Sequence, residues 1–171
     1  VNFTNNIVTT YNIGVQLQQN SEVELAGNSF TSTNYEIYHA SYIQGENKYY
    51  GSIQNAIDAA IEEDTVLATE GTFLENVNID KSLNLFGVKA GINPVNGRTG
   101  EESIVDGNNN HAISVATGIT DVVVDGFTIT VTNKPNTNNI AGIIINKNTD
   151  MIEIRNNIIR DITDGTGVDQ L

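Results

Sequence analysis

The amino-acid sequence predicts an all-β protein, a right-handed parallel β-helix (solenoid) with a short amphipathic capping helix. Ile and Val dominate the apolar residues, Trp is absent and Asn is abundant. β-branched side chains favour strands, and Asn tolerates the left-handed backbone of sharp turns. Short strand patterns end in Gly or Asn at regular spacing, and one segment has the periodicity of a helix. These observations indicate many short strands joined by tight turns.

Internal repetition is the strongest of these signals. Three strand patterns end at Gly87, Gly107 and Gly126, which lie 20 and 19 residues apart. Related patterns cover residues 1–6, 23–28 and 151–157. A unit of this length cannot bury its own apolar face, but a stack of units can. Leucine-rich repeats need regularly spaced Leu, whereas these strands carry Ile and Val. We therefore expect four or five β-helix coils of about twenty residues over residues 65–162.

Alternation of apolar and acidic residues predicts which side chains face the core. In residues 22–25 and 151–154 the apolar side chains point one way and the carboxylates the other. Stacked coils would align the inward residues in ladders along the axis, and Asn side chains at equivalent turns would form ladders of their own. The predicted inner positions are Ile113, Val115, Val123, Ile143, Ile145, Ile152 and Ile154.

A helical segment of about residues 50–62 interrupts the strand pattern. Ser52 is suited to its N-cap. Its apolar positions follow helical spacing, at Ile53, Ala56, Ile57, Ala60 and Ile61. Because the end of a solenoid exposes core and unpaired strand edges, we expect this helix to act as a lid. We therefore divide the chain near Gly45. Residues 1–46 are interpreted as closing coils of a preceding unit or an assembly segment, and residues 47–171 as the cap helix with a second set of coils.

The two ends of the chain resemble each other. Residues 4–8 (TNNIV) are similar to residues 155–159 (RNNII), at an offset of 151, and residues 15–17 parallel residues 168–171 with a small shift. Either the chain samples a longer protein with a period of about 150 residues, or separate subunits associate head to tail. In the second case the first coils of one copy would extend the last coil of another and build a filament.

A family resemblance accompanies this pattern. The start of a pectin-lyase-like β-helix domain is similar to residues 50–60 (YGSIQNAIDAA), 64–66 (DTV), 71–77 (GTFLENV) and 81–87 (KSLNLFG). Repeats of very large bacterial secreted and cell-surface proteins resemble residues 88–98 and 101–107. The resemblance covers residues 47–162 and implies a β-helix in an extracellular or cell-surface protein. It does not specify an activity, because this fold carries lyases, esterases, hydrolases, phage tailspikes and adhesins. Glu63 departs from the pattern, since such domains usually have Gly before Asp-Thr.

Composition excludes several classes of function. The formal net charge is −13 with only 8 Lys and Arg, so the surface would repel nucleic acid and anionic membranes. Cys is absent, which excludes disulfides and thiolate metal sites, and no apolar run is long enough to cross a bilayer. His39 and His111 have no companions at metal-ligand spacing. We expect no nucleic-acid binding, no membrane insertion and no cofactor.

The fold that the resemblance implies includes enzymes, and their active sites suggest candidate catalytic residues in this chain. Pectate lyases combine Ca²⁺, held by an Asp cluster, with an Arg or Lys base. The candidates for these roles are Asp106, Asp121, Asp125 and Arg155, of which Asp106 and Asp125 are expected at equivalent turns. Residues 71–75 (GTFLE) are close to an element of pectin methylesterases, but the other motifs of those enzymes have no counterpart. Asp164 and Asp169 carry carboxylate oxygens at a spacing that suits a Ca²⁺-binding loop, and they form a weak alternative site for Ca²⁺.

The sequence therefore favours a non-catalytic structural or adhesive module of a secreted or cell-surface protein. Its expected partners are other copies or neighbouring repeats of the same protein, and glycans. The alternative is a polysaccharide lyase or carbohydrate esterase acting on acidic glycans. A carbohydrate-binding module is a third interpretation, supported by the clustered tyrosines 35, 38, 42, 49 and 50, which pack around the cap helix equally well.

Overall fold

The computed structural model describes residues 1–9, 13–31, 35–134 and 139–162. These residues are mostly in short strands, with one α-helix, α1 (Ile53–Ala59), and one 3-10 turn, Pro94–Asn96. The strands before the helix are β1 (Ile7–Thr9), β2 (Ile13–Gln16), β3 (Glu22–Glu24), β4 (Ser29–Thr31), β5 (Tyr35–Tyr38), β6 (Ser41–Ile43) and β7 (Lys48–Tyr50). Those after it are β8 (Thr65–Ala68), β9 (Gly71–Leu74), β10 (Val77–Ile79), β11 (Leu83–Phe86), β12 (Ser103–Asp106), β13 (Ile113–Val115), β14 (Thr120–Asp125), β15 (Phe127–Val131), β16 (Ile143–Ile145), β17 (Asp150–Arg155) and β18 (Ile158–Ile162).

Consecutive strands after the helix enter three sheets in rotation. The first sheet takes β8, β11, β14 and β17, the second takes β9, β12, β15 and β18, and the third takes β10, β13 and β16. Within each set all neighbours are parallel, as the sequence predicts. One round of the chain therefore consists of three strands, one in each sheet.

The predicted coil of twenty residues is wrong. Val66, Leu85, Val124 and Ile154 are paired in turn across the first sheet, at spacings of 19, 39 and 30 residues. Gly87 and Gly107 instead follow strands that belong to two different sheets. Loops of unequal length make the later rounds longer than the first. The Gly107-to-Gly126 spacing also joins strands of two different sheets, β12 and β14, so the regular turn spacing in the sequence does not measure the length of a round.

Columns of paired apolar side chains form the core. Phe73, Val105, Ile129 and Ile159 make one column across the second sheet, and the first three are almost fully buried. Ile113 and Val115 are buried as predicted, and Ile152 and Ile154 pack partly buried against the same core. Val123 is not an inner position, because Val122 and Val124 point inward instead. Three consecutive valines fit either register, so the apolar pattern alone does not decide which of them face inward.

The last rounds expose part of this core. Ile143 is paired with buried Ile113 but is only partly buried, and Ile145 is 47% exposed although its partner Val115 is buried. Both lie on β16, which is the outer strand of its three-stranded sheet. The predicted inner positions Ile143 and Ile145 therefore have the expected register, but Ile145 is not buried because its strand lies at an edge.

The N-terminal segment forms rounds of constant length. Asn2 bridges Glu24, Ile7 pairs with Ser29 and Ile13 pairs with Tyr35, each at a spacing of 22 residues and each parallel. These rounds have a small core of their own, made of Leu17, Val23 and Ala40 with Phe3, Val15, Leu25, Ile37 and Tyr49 packed against it. The predicted Asn ladder is confirmed in these rounds, because the Asn28 carboxamide accepts a hydrogen bond from the Asn6 backbone N–H at 2.9 Å.

An antiparallel hairpin joins the two cores. Strands β6 and β7 pair with each other, β7 also pairs with β3, and β6 also pairs with β8. Tyr49 packs against the small N-terminal core, whereas its neighbour Tyr50 is buried in the main core. The two cores therefore lie on opposite faces of one sheet that runs from β3 to β17.

Helix α1 covers the first round of the main core. Ser52 is its N-cap as predicted, and its Oγ accepts a hydrogen bond from the Asn55 N–H at 3.2 Å. Ile53, Ala56 and Ile57 are fully buried, whereas Ile61 is 72% exposed and was wrongly included in the apolar face. The helix ends at Ala59, so the backbone beyond it no longer keeps the helical period on which that prediction depended.

We expect Ser52→Ala to lower the free energy of unfolding by about 1 kcal/mol, since the Asn55 N–H loses its capping partner. The change is measured by guanidinium unfolding. Ser82→Ala is a matched control, because in the described part of the chain the half-buried Ser82 hydroxyl makes no hydrogen bond. Equal loss of stability in both variants would contradict the capping role.

Candidate functional site

The outward face of the first sheet carries a shallow surface groove. Its volume is about 610 Å³, and it crosses the strand starts of β11, β14 and β17. The groove is lined by Glu63, Ser82, Leu83, Asn84, Asp121, Val123, Met151, Ile152 and Glu153. Of the predicted candidate residues, the groove contains Asp121.

Left-handed backbone shapes the rim of this groove. Glu63, Asp121 and Met151 have φ of 69°, 55° and 51°. A positive φ of this kind is adopted more readily by Gly than by Glu, so Glu63 holds a backbone conformation that is uncommon for its residue type. The three carboxylates of the lining, on Glu63, Asp121 and Glu153, give the groove an acidic character.

Asp125 and Arg155 lie beside each other at the ends of adjacent strands. Arg155 Nε donates to Asp125 Oδ2 at 2.7 Å, and Arg155 Nη1 donates to Glu153 Oε1 at 2.8 Å. The second Asp125 oxygen, Oδ1, accepts from the Gly91 N–H at 3.0 Å and from Asn156 Nδ2 at 2.9 Å. Asp125 is buried while Arg155 remains 45% exposed at its side chain. Both oxygens of Asp125 are therefore engaged by groups of the protein itself.

The surroundings of Asp125 keep its carboxylate ionised. Burial by itself raises the pKa of Asp125, but the hydrogen bonds from Asn156, Gly91 and Arg155, with the charge of Arg155, outweigh it. The net result is a pKa below the usual value for Asp. A carboxylate held in this state is a weak proton acceptor, which does not suit it to general base catalysis.

The other predicted carboxylates lie apart from this pair. Asp106 is on the second sheet, paired with Leu74 and Thr130, so it is not equivalent to Asp125 and that expectation was wrong. Its oxygens accept from the Asn108 N–H at 2.8 Å and from the Thr132 hydroxyl at 2.7 Å, which closes a turn. Among the described residues, Asp121 accepts a hydrogen bond from the Thr120 hydroxyl alone, at 2.8 Å. It precedes Asp125 by four strand positions, on the order of 13 Å, too far for one shared cation.

The esterase-like element, residues 71–75, forms part of the fold beneath the helix. Phe73 is 1% exposed and packs against the ring of His39. The Glu75 carboxylate accepts from the Ile53 N–H at 2.8 Å and from the Gln54 N–H at 3.0 Å, at the start of α1. Burial raises the pKa of Glu75 despite these hydrogen bonds. Glu75 therefore holds the lid in place.

Sequence reasoning missed one buried cation. Arg98, whose side chain is 1% exposed, donates to Glu102 Oε2 at 2.8 Å and to the Phe127 carbonyl at 2.9 Å, and it also contacts the Asn156 carbonyl. It ties the loop after β11 to the later rounds. The spacing of four residues between Arg98 and Glu102 was the available signal, but such spacing is common outside helices as well.

The described residues contain neither a metal-ligand cluster nor a membrane-spanning helix. In residues 1–9, 13–31, 35–134 and 139–162, no three His, Cys, Asp or Glu side chains are grouped as a metal site requires. Asp164 and Asp169 lie outside these residues. His111 Nδ1 accepts from the Ala141 N–H at 3.0 Å, and His39 Nε2 is buried without a hydrogen bond among the described atoms. No helix in the described segments has the length and apolar content of a membrane span.

Comparisons with known proteins were made against family models, curated proteins and solved structures. None gives a match. The resemblance to pectin-lyase-like domains therefore rests on the residues quoted above, and it enters the next subsection as a proposal.

Proposed function

We propose that the chain is a non-catalytic structural or adhesive module of a secreted or cell-surface protein, in which the three parallel sheets wrap into a right-handed parallel β-helix. The rotation of consecutive strands through three sheets supports this fold. A continuous column such as Phe73, Val105, Ile129 and Ile159 gives a stiff rod, since each round is held by its neighbours.

The observation that carries the non-catalytic role is the state of Asp125 and Arg155. Each bonds the other, and the remaining Asp125 oxygen is occupied by Gly91 and Asn156. Asp125 therefore has no free oxygen to hold Ca²⁺ or to accept a proton from a substrate. The acidic groove also disfavours a polyuronate substrate, because Glu63, Asp121 and Glu153 repel its carboxylates.

We expect no turnover of polygalacturonate or pectin by the purified chain. Formation of unsaturated uronate is followed by ultraviolet absorbance with and without Ca²⁺, and release of methanol is measured on methylated pectin. The controls are Arg155→Ala and Asp125→Ala. Turnover that either substitution abolishes, in a variant with a native circular dichroism spectrum, would favour the lyase or esterase instead.

A further inference from the structure

We propose that the first round of the chain is a docking edge for the last round of a second copy of this chain. This inference rests on the proposed structural role and names its partner. The first round is residues 1–9 with β2, and the last round is β17 with β18. Both rounds lie at the ends of their parallel stacks.

A repeated hydrogen-bond pattern defines the register of one round on the next. Asn28 Oδ1 accepts from the Asn6 N–H at 2.9 Å, and Asn28 Nδ2 donates to the Phe3 carbonyl at 2.6 Å. Asn157 Oδ1 likewise accepts from the Phe127 N–H at 2.9 Å, and Asn157 Nδ2 donates to the Val124 carbonyl at 2.8 Å. In both cases one Asn carboxamide bridges an N–H and the carbonyl three residues earlier on the preceding round. The N-terminal and main rounds therefore stack by the same rule.

By this rule, Asn6 of a second copy is the residue whose carboxamide would bridge the last round. Among the described residues β17 and β18 have no further neighbouring strand. The Asn157 N–H and the Ile154 carbonyl lie at this edge, in the register that Phe127 and Val124 have one round before. Asn6 lies at the same place in the first round, after an Asn with φ of 58°, as Asn157 follows an Asn with φ of 51°. Its carboxamide now bonds the Thr4 carbonyl and Asn28 Oδ1, and it would turn to bridge the second copy. The offset between the two rounds is the 151 residues seen in the sequence.

The apolar columns continue across this contact. Ile159 ends the column of Phe73, Val105 and Ile129, and it is 51% exposed although Ile129 is fully buried. Val8, at the same offset, is paired with Phe30 and is the half-buried residue of β1. Stacking Val8 on Ile159 would cover the open end of the main core with the start of the small core.

Charges do not oppose the contact. At the offset of 151, Glu153 would face Asn2, Arg155 would face Thr4 and Arg160 would face Thr9. These three charged side chains of the last round thus meet neutral residues of the first. Since the two edges are different surfaces, the contact is heterologous and extends into a filament instead of closing as a dimer.

Disulfide capture tests the register. Because the chain contains no Cys, no native thiol can form a competing disulfide. A chain with Asn2→Cys is mixed with a mass-tagged chain that carries Glu153→Cys. Both positions are exposed. Facing residues of adjacent strands lie within about 5 Å, which a disulfide can bridge. Thr4→Cys mixed with the same Glu153→Cys chain is the matched control, because its Cα would be about 8 Å away. We expect mixed disulfides from the first pair and several-fold less from the second.

Sedimentation velocity on the unsubstituted chain measures assembly directly. We expect the mass to rise with concentration and Ile159→Asp to weaken self-association by about tenfold or more, because the contact would bury an unpaired charge. Ile61→Asp is the matched control: Ile61 is 72% exposed and lies outside both rounds, and the substitution adds the same charge, so self-association should stay unchanged. A chain that stays monomeric, or equal capture in both cysteine mixtures, overturns the inference. Monomers without turnover leave the proposed structural role intact, whereas glycan turnover overturns that role whatever the mass.

Discussion

Gly126→Ala is expected to destabilise the protein by about 3–5 kcal/mol. Gly126 has φ of 85°, and a Cβ there would overlap the backbone of Lys89 and Ala90. That backbone belongs to the loop after β11, which turns back by a hydrogen bond from the Ala90 N–H to the Gly87 carbonyl at 3.0 Å. Since the obstructing atoms are backbone, the whole loop would have to move.

Gly118→Ala separates this overlap from the cost of the left-handed backbone. Gly118 has φ of 81°, and a Cβ there would meet nothing within 4 Å. We expect a loss of about 1 kcal/mol for this variant, from backbone strain alone. Guanidinium unfolding of both variants and the unsubstituted chain gives the comparison. Equal losses at the two positions would show that the loop does not pack on Gly126 as described.

The elements that repeat locally were predictable from the sequence. Ser52 and the apolar spacing from Ile53 to Ala60 specify a capped helix, because both depend on residues close together in the chain. Parallel pairing was predictable too, since short strands without helical crossovers bury their faces by stacking. The length of a round was not, because the loop between Phe86 and Ser103 adds residues without changing which strands pair.

The candidate site was less predictable, because it depends on register between rounds. Asp125 and Arg155 were named together, and the structure places them in direct contact. Asp106 was grouped with them through its Val-Asp-Gly turn, but a turn sequence does not say which sheet its strand joins. The Gly91 N–H that completes the surroundings of Asp125 comes from a loop 34 residues earlier in the chain, which no local pattern indicates.

Asp125→Asn is expected to cost about 2–4 kcal/mol at neutral pH. The substitution removes the ion pair with Arg155 and places an N–H₂ group against donors of Arg155, Asn156 or Gly91. The 45% exposure of the Arg155 side chain keeps the loss below that of a fully buried pair, since water can solvate the remaining cation. Asp121→Asn on the same strand is the matched control. In the part of the chain that the structure describes, its carboxylate bonds the Thr120 hydroxyl alone, so we expect little change.

The effect of Asp125→Asn should depend on pH with a definite sign. Because the folded protein lowers the pKa of Asp125 below 3.8, its carboxylate contributes stability that is fully present above the unfolded pKa. That contribution is lost as pH falls through the lower, folded pKa. Glu75, whose pKa is raised, has the opposite dependence, but it is present in both proteins and cancels in their difference. Guanidinium midpoints of the unsubstituted chain and the Asn variant should therefore differ by a constant amount from neutral pH to about pH 5 and converge below pH 4. A difference that widened on acidification would mean that burial raises the pKa of Asp125 more than its hydrogen bonds lower it. The ion pair with Arg155 would then not be the interaction that holds the rounds together at this position.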